Sequence, residues 1–386
     1  MKNKKFDENE NINIDLRGFR RTHALIDLNA IKENIIGIKN KVGNRMICPA
    51  VKADGYGHGS VAIARMLENE NLVHYFGVAT VNEGIELREN GIKMPILLLG
   101  LIMPDEVLDA LKYDLTITIA YKSFIQNILN ACYILNKKCK IHIKVDTGMG
   151  RIGCKPEEVI EIAKEVLKYK DYLYLEGLFT HFPESDSKIK DFSYHQIKIF
   201  NEIINELKTN NITIPIKHMA NSGAILDLPE SYFDMVRPGI MTYGYYPSDE
   251  TSESIKIKPS MSLKSQIIFI KRVKKNTPIS YGRTYYTKKD SYIATIPAGY
   301  ADGINRLLSN NHNVLINGKF YPIAGRICMD QFCVDLGDDF YDIGTDVFVF
   351  DNRNFTASDL ARKLKTIPYE ITCWISKRVK RYYINW

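Results

Sequence analysis

Several polar residues of types that do chemistry recur at one kind of place in this chain. Lys52 stands in "AVKADGYGHG", Arg151 in "DTGMGRIG", His181 in "THF", Asn221 and Ser222 in "NSGA", and Arg237 in "RPGI". Each follows a short apolar, β-branched run and precedes glycine punctuation or a switch to helical spacing. A lysine where a strand leaves the core is an odd choice if packing is the only concern. Two arginines, a histidine, a lysine and a small hydroxyl at one mouth would suit a doubly anionic small ligand. The glycines of "NSGA" and "RPGI" would let backbone N–H groups approach a phosphate closely. Singly, each has an ordinary reading. Lys52 could be a solvated rim lysine, His181 a hydrogen-bonded loop histidine, and Arg237-Pro238-Gly239 a plain turn. Their coincidence at the same end of different strands is what favours a site.

The elements that must position them alternate regularly from Arg21 to about Tyr246. Apolar runs at "MICPAVKA", "HYFGVAT", "PILLLG", "LTITIA", "KIHIKVD", "LYLEGLFTHF", "IKHMANS" and "FDMVRPGIMTYG" read as strands. Between them lie helix-period segments such as "AIKENIIGIKNKV", "HGSVAIARMLENE" and "PEEVIEIAKEVLKYK". Asp27 or Asn29 and Ser60 are candidate helix N-caps, and Pro156 suits a first turn. Eight such β/α repeats predict an α/β fold, an N-terminal (β/α)8 TIM-type barrel whose active site lies at the C-terminal strand ends. An open doubly wound sheet is the alternative, but it calls for a G-x-G-x-x-G after a strand, which this chain lacks. After about Ser254 strands alternate with Gly, Asn, Asp and Pro turns, which predicts a C-terminal mainly-β domain. The expected division is 1–20 as a flexible extension, 21–255 as the barrel and 256–386 as the β-rich domain.

Composition narrows the class. The 386 residues are 45% hydrophobic and 25% charged, ordinary for a two-domain globular protein. The N-terminus has no apolar core, so a signal peptide is not expected, and the longest apolar run, "ILLLGLIMP", is far short of a bilayer span. Seven cysteines without C-x-x-C spacing argue for reduced thiols in a cytoplasm and against a zinc site. The formal net charge of +7 is spread among acidic residues, so it supports a pull on small anions and not a nucleic-acid partner.

In order along the chain, "VKADGYGHG", "VDTGMGRIG", "THF", "ANS", "RPGI", "SYG", "IPAGYADG", "GRICMDQ" and "IPYE" resemble the alanine racemase family from about Arg21 to Trp386. The lysine motif is shared by related barrels, whereas "SYG" and "GRICMDQ" make the combination specific. The resemblance implies pyridoxal phosphate held covalently by Lys52, whose freed amine is one of two bases. The second base would be Tyr281 of the partner subunit, on the opposite cofactor face. A racemase removes Cα–H from one face and returns a proton to the other, so two flanking acid/base groups are the direct solution.

The resemblance also assigns supporting roles. Arg237 would face the cofactor's ring nitrogen, with His181 interacting with it. An arginine does not give up its proton readily, so the ring would be a weak electron sink that favours prompt reprotonation over transamination. Related decarboxylases carry "EPGR" where this chain has "RPGI". The phosphate would be held by Tyr56, Ser222, Tyr369 and the backbone of Gly239 and Ile240, with Asn221 beside them. Arg151 matches an arginine that contacts the cofactor's phenolic oxygen and the substrate carboxylate, and the Met329 backbone would help bind that carboxylate. Cys328 and Asp330 lie beside Met329 in the partner's contribution, while Tyr300, Arg306 and Arg326 resemble entrance residues. Lys144 occupies a position that is carbamylated in many members, although an ordinary strand lysine is the other reading.

The expected protein is therefore a cytoplasmic homodimer with shared active sites, interconverting L- and D-alanine to supply D-alanine for peptidoglycan, with no membrane or metal. Departures are modest: Pro183 for a usual alanine, Thr242 for a usual apolar residue and His23 for a frequent tryptophan. A same-fold racemase acting on serine is the nearest alternative. A non-catalytic pyridoxal-phosphate carrier built on a lone barrel is the more distant one.

Overall fold

The computed structural model describes residues 20–386, so the extension expected over 1–20 lies outside the described residues apart from Arg20. The chain divides into two compact units, each treated by itself. One holds Ala24–Ser262, Phe350–Ser376 and Arg381–Trp386; the other holds Leu263–Val349 and Lys377–Lys380, with residues 20–23.

In the first unit eight short strands pair in parallel. Their order is Met46–Ile47, Met235–Val236, Ile216–His218, Leu173–Phe179, Cys139–Lys144, Leu115–Ile119, Ile96–Leu98 and Phe76–Val78. A parallel bridge between Ala50 and Gly77 joins the two ends of that order and closes the barrel. Every residue of Leu115–Ile119 is buried, as expected for strands covered on both faces. The expected runs are longer than the strands observed. "FDMVRPGIMTYG" contributes only Met235–Val236 before turning at Ile240–Tyr243.

The helices form where spacing and caps agree. Helix Leu28–Val42 buries Ile31, Ile35, Ile38 and Val42, and Asp27, not Asn29, is its N-cap, accepting from the Ala30 N–H at 3.0 Å. Helix Val81–Glu89 opens on a capping box of Thr80 and Glu83. Ser60 is the first helical residue and not the cap of Ser60–Asn69. Gly59 occupies the cap position, and the Asp54 carboxylate accepts from the Ser60 N–H at 2.9 Å. Sequence proximity concealed that cap, because the acceptor sits six residues upstream.

The second unit is antiparallel. Strands Phe269–Val273, Ser291–Ile296, Phe332–Gly337, Lys319–Ala324 and Asn313–Ile316 lie side by side in that order. The compact units divide at 262/263, against the expected 255/256, and residues 350–376 and 381–386 group with the barrel. Close backbone approach explains that return. A Cβ on Gly57 would lie 2.1 Å from the Thr372 carbonyl oxygen, and Arg381 donates to the Gly57 carbonyl at 3.0 Å. Among the described residues no helix is long and apolar enough to cross a membrane.

Candidate active site

Lys52 leaves the barrel on an uncommon turn. Ala53, Asp54, Gly55, Tyr56 and Gly57 all have φ between 51° and 82°, a left-handed turn. Left-handed backbone costs roughly 1–2 kcal/mol for each non-glycine residue, so Ala53, Asp54 and Tyr56 need outside support. Glu83 accepts from the Ala53 N–H at 2.7 Å, and Asp54 is tied to Ser60. The turn starts the Lys52 side chain at the strand end and buries the Tyr56 ring beside Tyr243 and Tyr369, with centroids at 5.0 and 5.7 Å.

These residues open on a cavity of about 670 Å³. Its walls bring together Lys52, Tyr56, Lys144, Arg151, His181, Asn221, Ser222, Arg237, Gly239 and Tyr369, nearly every barrel residue singled out from sequence. Ile240 is buried and is not among the lining residues. Asn221 caps helix Ser222–Asp227 by accepting from the Ala224 N–H at 3.1 Å, which presents Ser222 at the helix start. The Ser222 hydroxyl accepts from the Gly239 N–H at 2.9 Å. A Cβ on Gly239 would sit 2.9 Å from the Tyr56 hydroxyl oxygen, so only glycine leaves this corner open.

The electrostatics are cationic. Burial, and then the nearby Arg151 guanidinium, pulls the Lys52 amine below its ordinary range. Burial followed by Arg237, Arg151 and Lys52 lowers Lys144 to about 7. Lys144 lies over the Phe179 ring, its Nζ 4.5 Å from the centroid. His181 is driven well below the usual imidazole value by burial and then by Arg237, so it is neutral at neutral pH. Arg237 donates through Nη2 to the Thr180 and Met219 carbonyls at 2.8 and 3.1 Å and lies 3.4 Å from His181 Nδ1. Its Nη1 lies 2.8 Å from His218 Nδ1. Sequence reasoning passed over His218 and the two groups beyond it, His142 and Glu176. A histidine alternating with isoleucines in "KIHIKVD" was the available signal.

Within the second unit the remaining expected residues gather on neighbouring loops. Ser280, at φ +64°, donates to the Arg326 carbonyl at 2.6 Å and lies 3.6 Å from the Cys328 sulfur. Tyr281 follows it and is 72% exposed. The Tyr300 N–H donates to the Cys328 carbonyl and the Ala301 N–H to the Met329 carbonyl, both at 3.1 Å. Asp302, fully buried, pairs with Arg20 and Arg378 at 2.8 Å each, and Arg378 also pairs with Asp330 at 2.9 Å. Arg306 begins the short turn Arg306–Leu308, whose following Ser309 accepts from the Ile327 N–H at 3.0 Å.

A barrel with a buried lysine and a cationic cavity at its strand ends, in one chain with an antiparallel β unit, defines a class: two-unit barrel proteins with a candidate small-molecule site at the strand ends. The comparisons narrow it. Residues 26–247 match the family model of the alanine racemase N-terminal domain and residues 260–383 that of the C-terminal domain. The chain is 44% identical over 370 residues to alanine racemase 2 of Caldanaerobacter subterraneus, covering 95% of each, and 42% identical to the alanine racemase of Treponema denticola, covering 95% of this chain and 99% of that one. Among solved structures it resembles the alanine racemase of Clostridium difficile 630 at TM-score 0.89 and 41% identity, covering 94% of this chain and 96% of that one. It also resembles the Bacillus anthracis alanine racemase with bound L-Ala-P at TM-score 0.88 and 35% identity, covering 95% and 96%. The chain belongs to the alanine racemase family, and it is an isomerase, an amino-acid racemase.

Proposed function

We propose that the chain interconverts L- and D-alanine with pyridoxal phosphate, as a homodimer in which Lys52 and the Tyr281 of a second copy act as opposing bases. The observation that carries this is the single cavity holding a depressed lysine, an arginine-histidine wall and an open glycine corner. The cofactor fits that cavity. Tyr56, Tyr369, Ser222 and the Gly239–Ile240 backbone would hold its phosphate, Arg237 its ring nitrogen, and Arg151 its phenolic oxygen. When bound, the cofactor supplies an electron sink that acidifies the substrate's Cα–H.

The chain's own residues do the rest. Lys52 Nζ, partly desolvated and flanked by Arg151, holds an amine that is more often neutral than a surface lysine's and so can accept the Cα proton on one face. The Tyr281 hydroxyl would return or remove the proton on the other. Arg237 would donate a hydrogen bond to the ring nitrogen without giving up its proton, so the sink would stay weak. Arg151 and the Met329 backbone would orient the substrate carboxylate. Tyr369, packed against Tyr56, crowds the pocket in a way that suits a methyl side chain over a hydroxymethyl one.

Lys144 would act as a carbamate. Its amine, with a pKa near 7, attacks carbon dioxide through the nitrogen lone pair and releases one proton, leaving an anion beside Arg151 and Arg237. That anion would orient Arg151. We place the activity in the cytoplasm, supplying D-alanine for peptidoglycan. The test is D-alanine formation from L-alanine by purified protein with and without added pyridoxal phosphate. Cofactor-dependent conversion is expected, and no conversion by cofactor-saturated protein overturns the proposal.

A further inference from the structure

Behind Arg237 runs a row of buried polar groups that the mechanism above does not use. Arg237 Nη1 lies 2.8 Å from His218 Nδ1, His218 Nε2 lies 2.9 Å from His142 Nδ1, and His142 Nε2 lies 3.2 Å from Glu176 Oε2. Both imidazoles are fully buried, and Glu176 is almost so. The other Glu176 oxygen pairs at 2.8 Å with Lys140, a half-exposed residue, and burial followed by the Glu176 charge raises the Tyr75 phenol above its ordinary range. Lys140 and Lys144 lie on one strand, four residues or about 13 Å apart, so the row runs from the cavity to the opposite end of the barrel.

The two ends of this row leave its protons only one arrangement. An arginine can only donate, so His218 Nδ1 must accept and its proton must sit on Nε2. That N–H then donates to His142 Nδ1, which must accept in turn. His142 therefore carries its proton on Nε2 and donates it in a hydrogen bond to one Glu176 oxygen, and because the other oxygen accepts from the Lys140 ammonium, Glu176 is a carboxylate. An imidazolium at His142 would place two N–H groups against each other or turn His218 over to face the Arg237 N–H. Burial independently disfavours charge on both rings and pulls their basicity down, with Arg237 adding to the effect at each. Burial raises the Glu176 carboxyl, and hydrogen bonds from His142 and Lys140 outweigh it to leave it below its ordinary range.

The backbone accommodates this row. A Cβ on Gly177 would lie 2.3 Å from His142 Nδ1, so a mid-strand glycine makes room for the ring. The register between the two strands shifts between Ile141 and His142. The Phe179 ring stacks on His218 at 4.7 Å with planes 6° apart and also lies under the Arg237 guanidinium.

We propose that Glu176, His142 and His218 are positioning residues that form a one-way hydrogen-bond chain and, from the far end of the barrel, fix which guanidinium nitrogens Arg237 keeps for the cavity. With Nη1 bonded to His218 and Nη2 to the Thr180 and Met219 carbonyls, Nε makes no hydrogen bond to the described chain. Removing the carboxylate leaves the buried His142 Nε2–H without an acceptor, a cost that offsets the clash of an N–H against Arg237 and lets His142 adopt the other tautomer. The reversal passes to His218 and sets an N–H against Arg237. The role in catalysis rests on the proposed placement of Arg237 at a cofactor ring, whereas the proton arrangement does not.

The experiment uses full-length protein labelled with nitrogen-15 in histidine, read by long-range proton–nitrogen correlation without and with pyridoxal phosphate. Signals are assigned through single histidine replacements. His142 and His218 are expected as neutral Nε2–H tautomers in both samples at neutral pH. Glu176→Leu should give mixed tautomers at both rings and lower kcat about tenfold while KM changes little, the size expected for one misplaced buried hydrogen bond. Glu176→Gln keeps an acceptor, so it should keep both tautomers and lose less. An imidazolium or an Nδ1–H tautomer at either ring of the wild-type protein overturns the proposal, and this reading does not depend on whether a variant folds. Folded Glu176→Leu with unchanged tautomers or unchanged kcat overturns it as well. Failure of alanine racemisation itself would refute the functional reading and leave the tautomer result standing.

Discussion

The cavity wall of the barrel unit and the loop cluster of the β unit were built by opposite means. In the barrel, Lys144, Ser222 and Arg237 are buried, and desolvation has moved Lys52, Lys144, His181 and Arg237 off their ordinary basicities. In the β unit, Tyr281 is 72% exposed, Met329 53% and Tyr300 43%, large apolar groups set out on loops. The loops themselves are not slack: Asp302, Ser280 and the Cys328–Asp330 backbone hold them by ion pairs and hydrogen bonds. A barrel site tunes chemistry by burial within one chain. The loop cluster is held rigid yet uncovered, the arrangement suited to a surface completed by another molecule, here the proposed second copy.

Substitutions on the two sides test that contrast, beginning with the barrel lysine. Lys52→Ala should abolish racemisation, by about 10⁴-fold or more, because it removes the covalent attachment and one base together. The protein as purified should be yellow, the variant colourless, and borohydride followed by peptide mapping should label Lys52. A label on another lysine would sink the assignment. On the loop side, Tyr281→Phe should slow removal of the L-alanine Cα proton by on the order of 10²–10⁴ while exchange from D-alanine suffers less. Solvent-deuterium exchange followed from each enantiomer separately measures this, and equal losses would show that the two bases do not divide by face.

Arg237→Glu should lower racemisation by roughly 10²-fold, the scale of losing one preorganised donor, and make slow conversion of alanine to pyruvate detectable. A folded, cofactor-loaded variant without pyruvate would mean that Arg237 only braces the last barrel turn. Lys144→Ala should reduce kcat/KM about tenfold, with partial recovery on adding a short carboxylate that replaces the lost anion. Insensitivity to added carboxylate, together with no incorporation of labelled carbon dioxide in the wild type, would leave Lys144 an ordinary strand lysine.

The smallest effect concerns Lys144 and stability. Burial, with the neighbouring cations, lowers its pKa to about 7 from an unfolded value near 10.5. Between those values the unfolded chain binds the proton and the folded one does not, so this group's contribution to stability rises with pH across that window and its penalty is full below pH 7. Lys144→Met should therefore flatten that slope in urea titrations of protein freed of carbon dioxide. An unchanged slope would show that the amine is not desolvated.

Much of the barrel was legible because its signals are local. Apolar runs of strand length alternated with helical spacing, and chemistry-bearing residues sat where those runs ended. Lys52, Arg151, His181, Asn221, Ser222 and Arg237 share one cavity for that reason. The Glu176–His142–His218 row was not legible. A buried histidine in an apolar strand looks the same whether it fills space or passes on a hydrogen bond, and only the register of three strands decides. The cap of Ser60–Asn69 was missed similarly, since Asp54 reaches it only through the left-handed turn.

By itself the sequence determined the order of elements, the barrel and β-rich classes, and the residue types at each strand end, because periodicity and turn chemistry act over a few residues. Tertiary structure alone decided which of those residues meet, how far burial shifts Lys52 and Lys144, and that residues 350–376 return to the barrel unit and bring Tyr369 to the cavity. Desolvation depends on everything packed around a group, and a polar row through a barrel depends on strands far apart in the chain. Neither quantity is stored in any short stretch of residues.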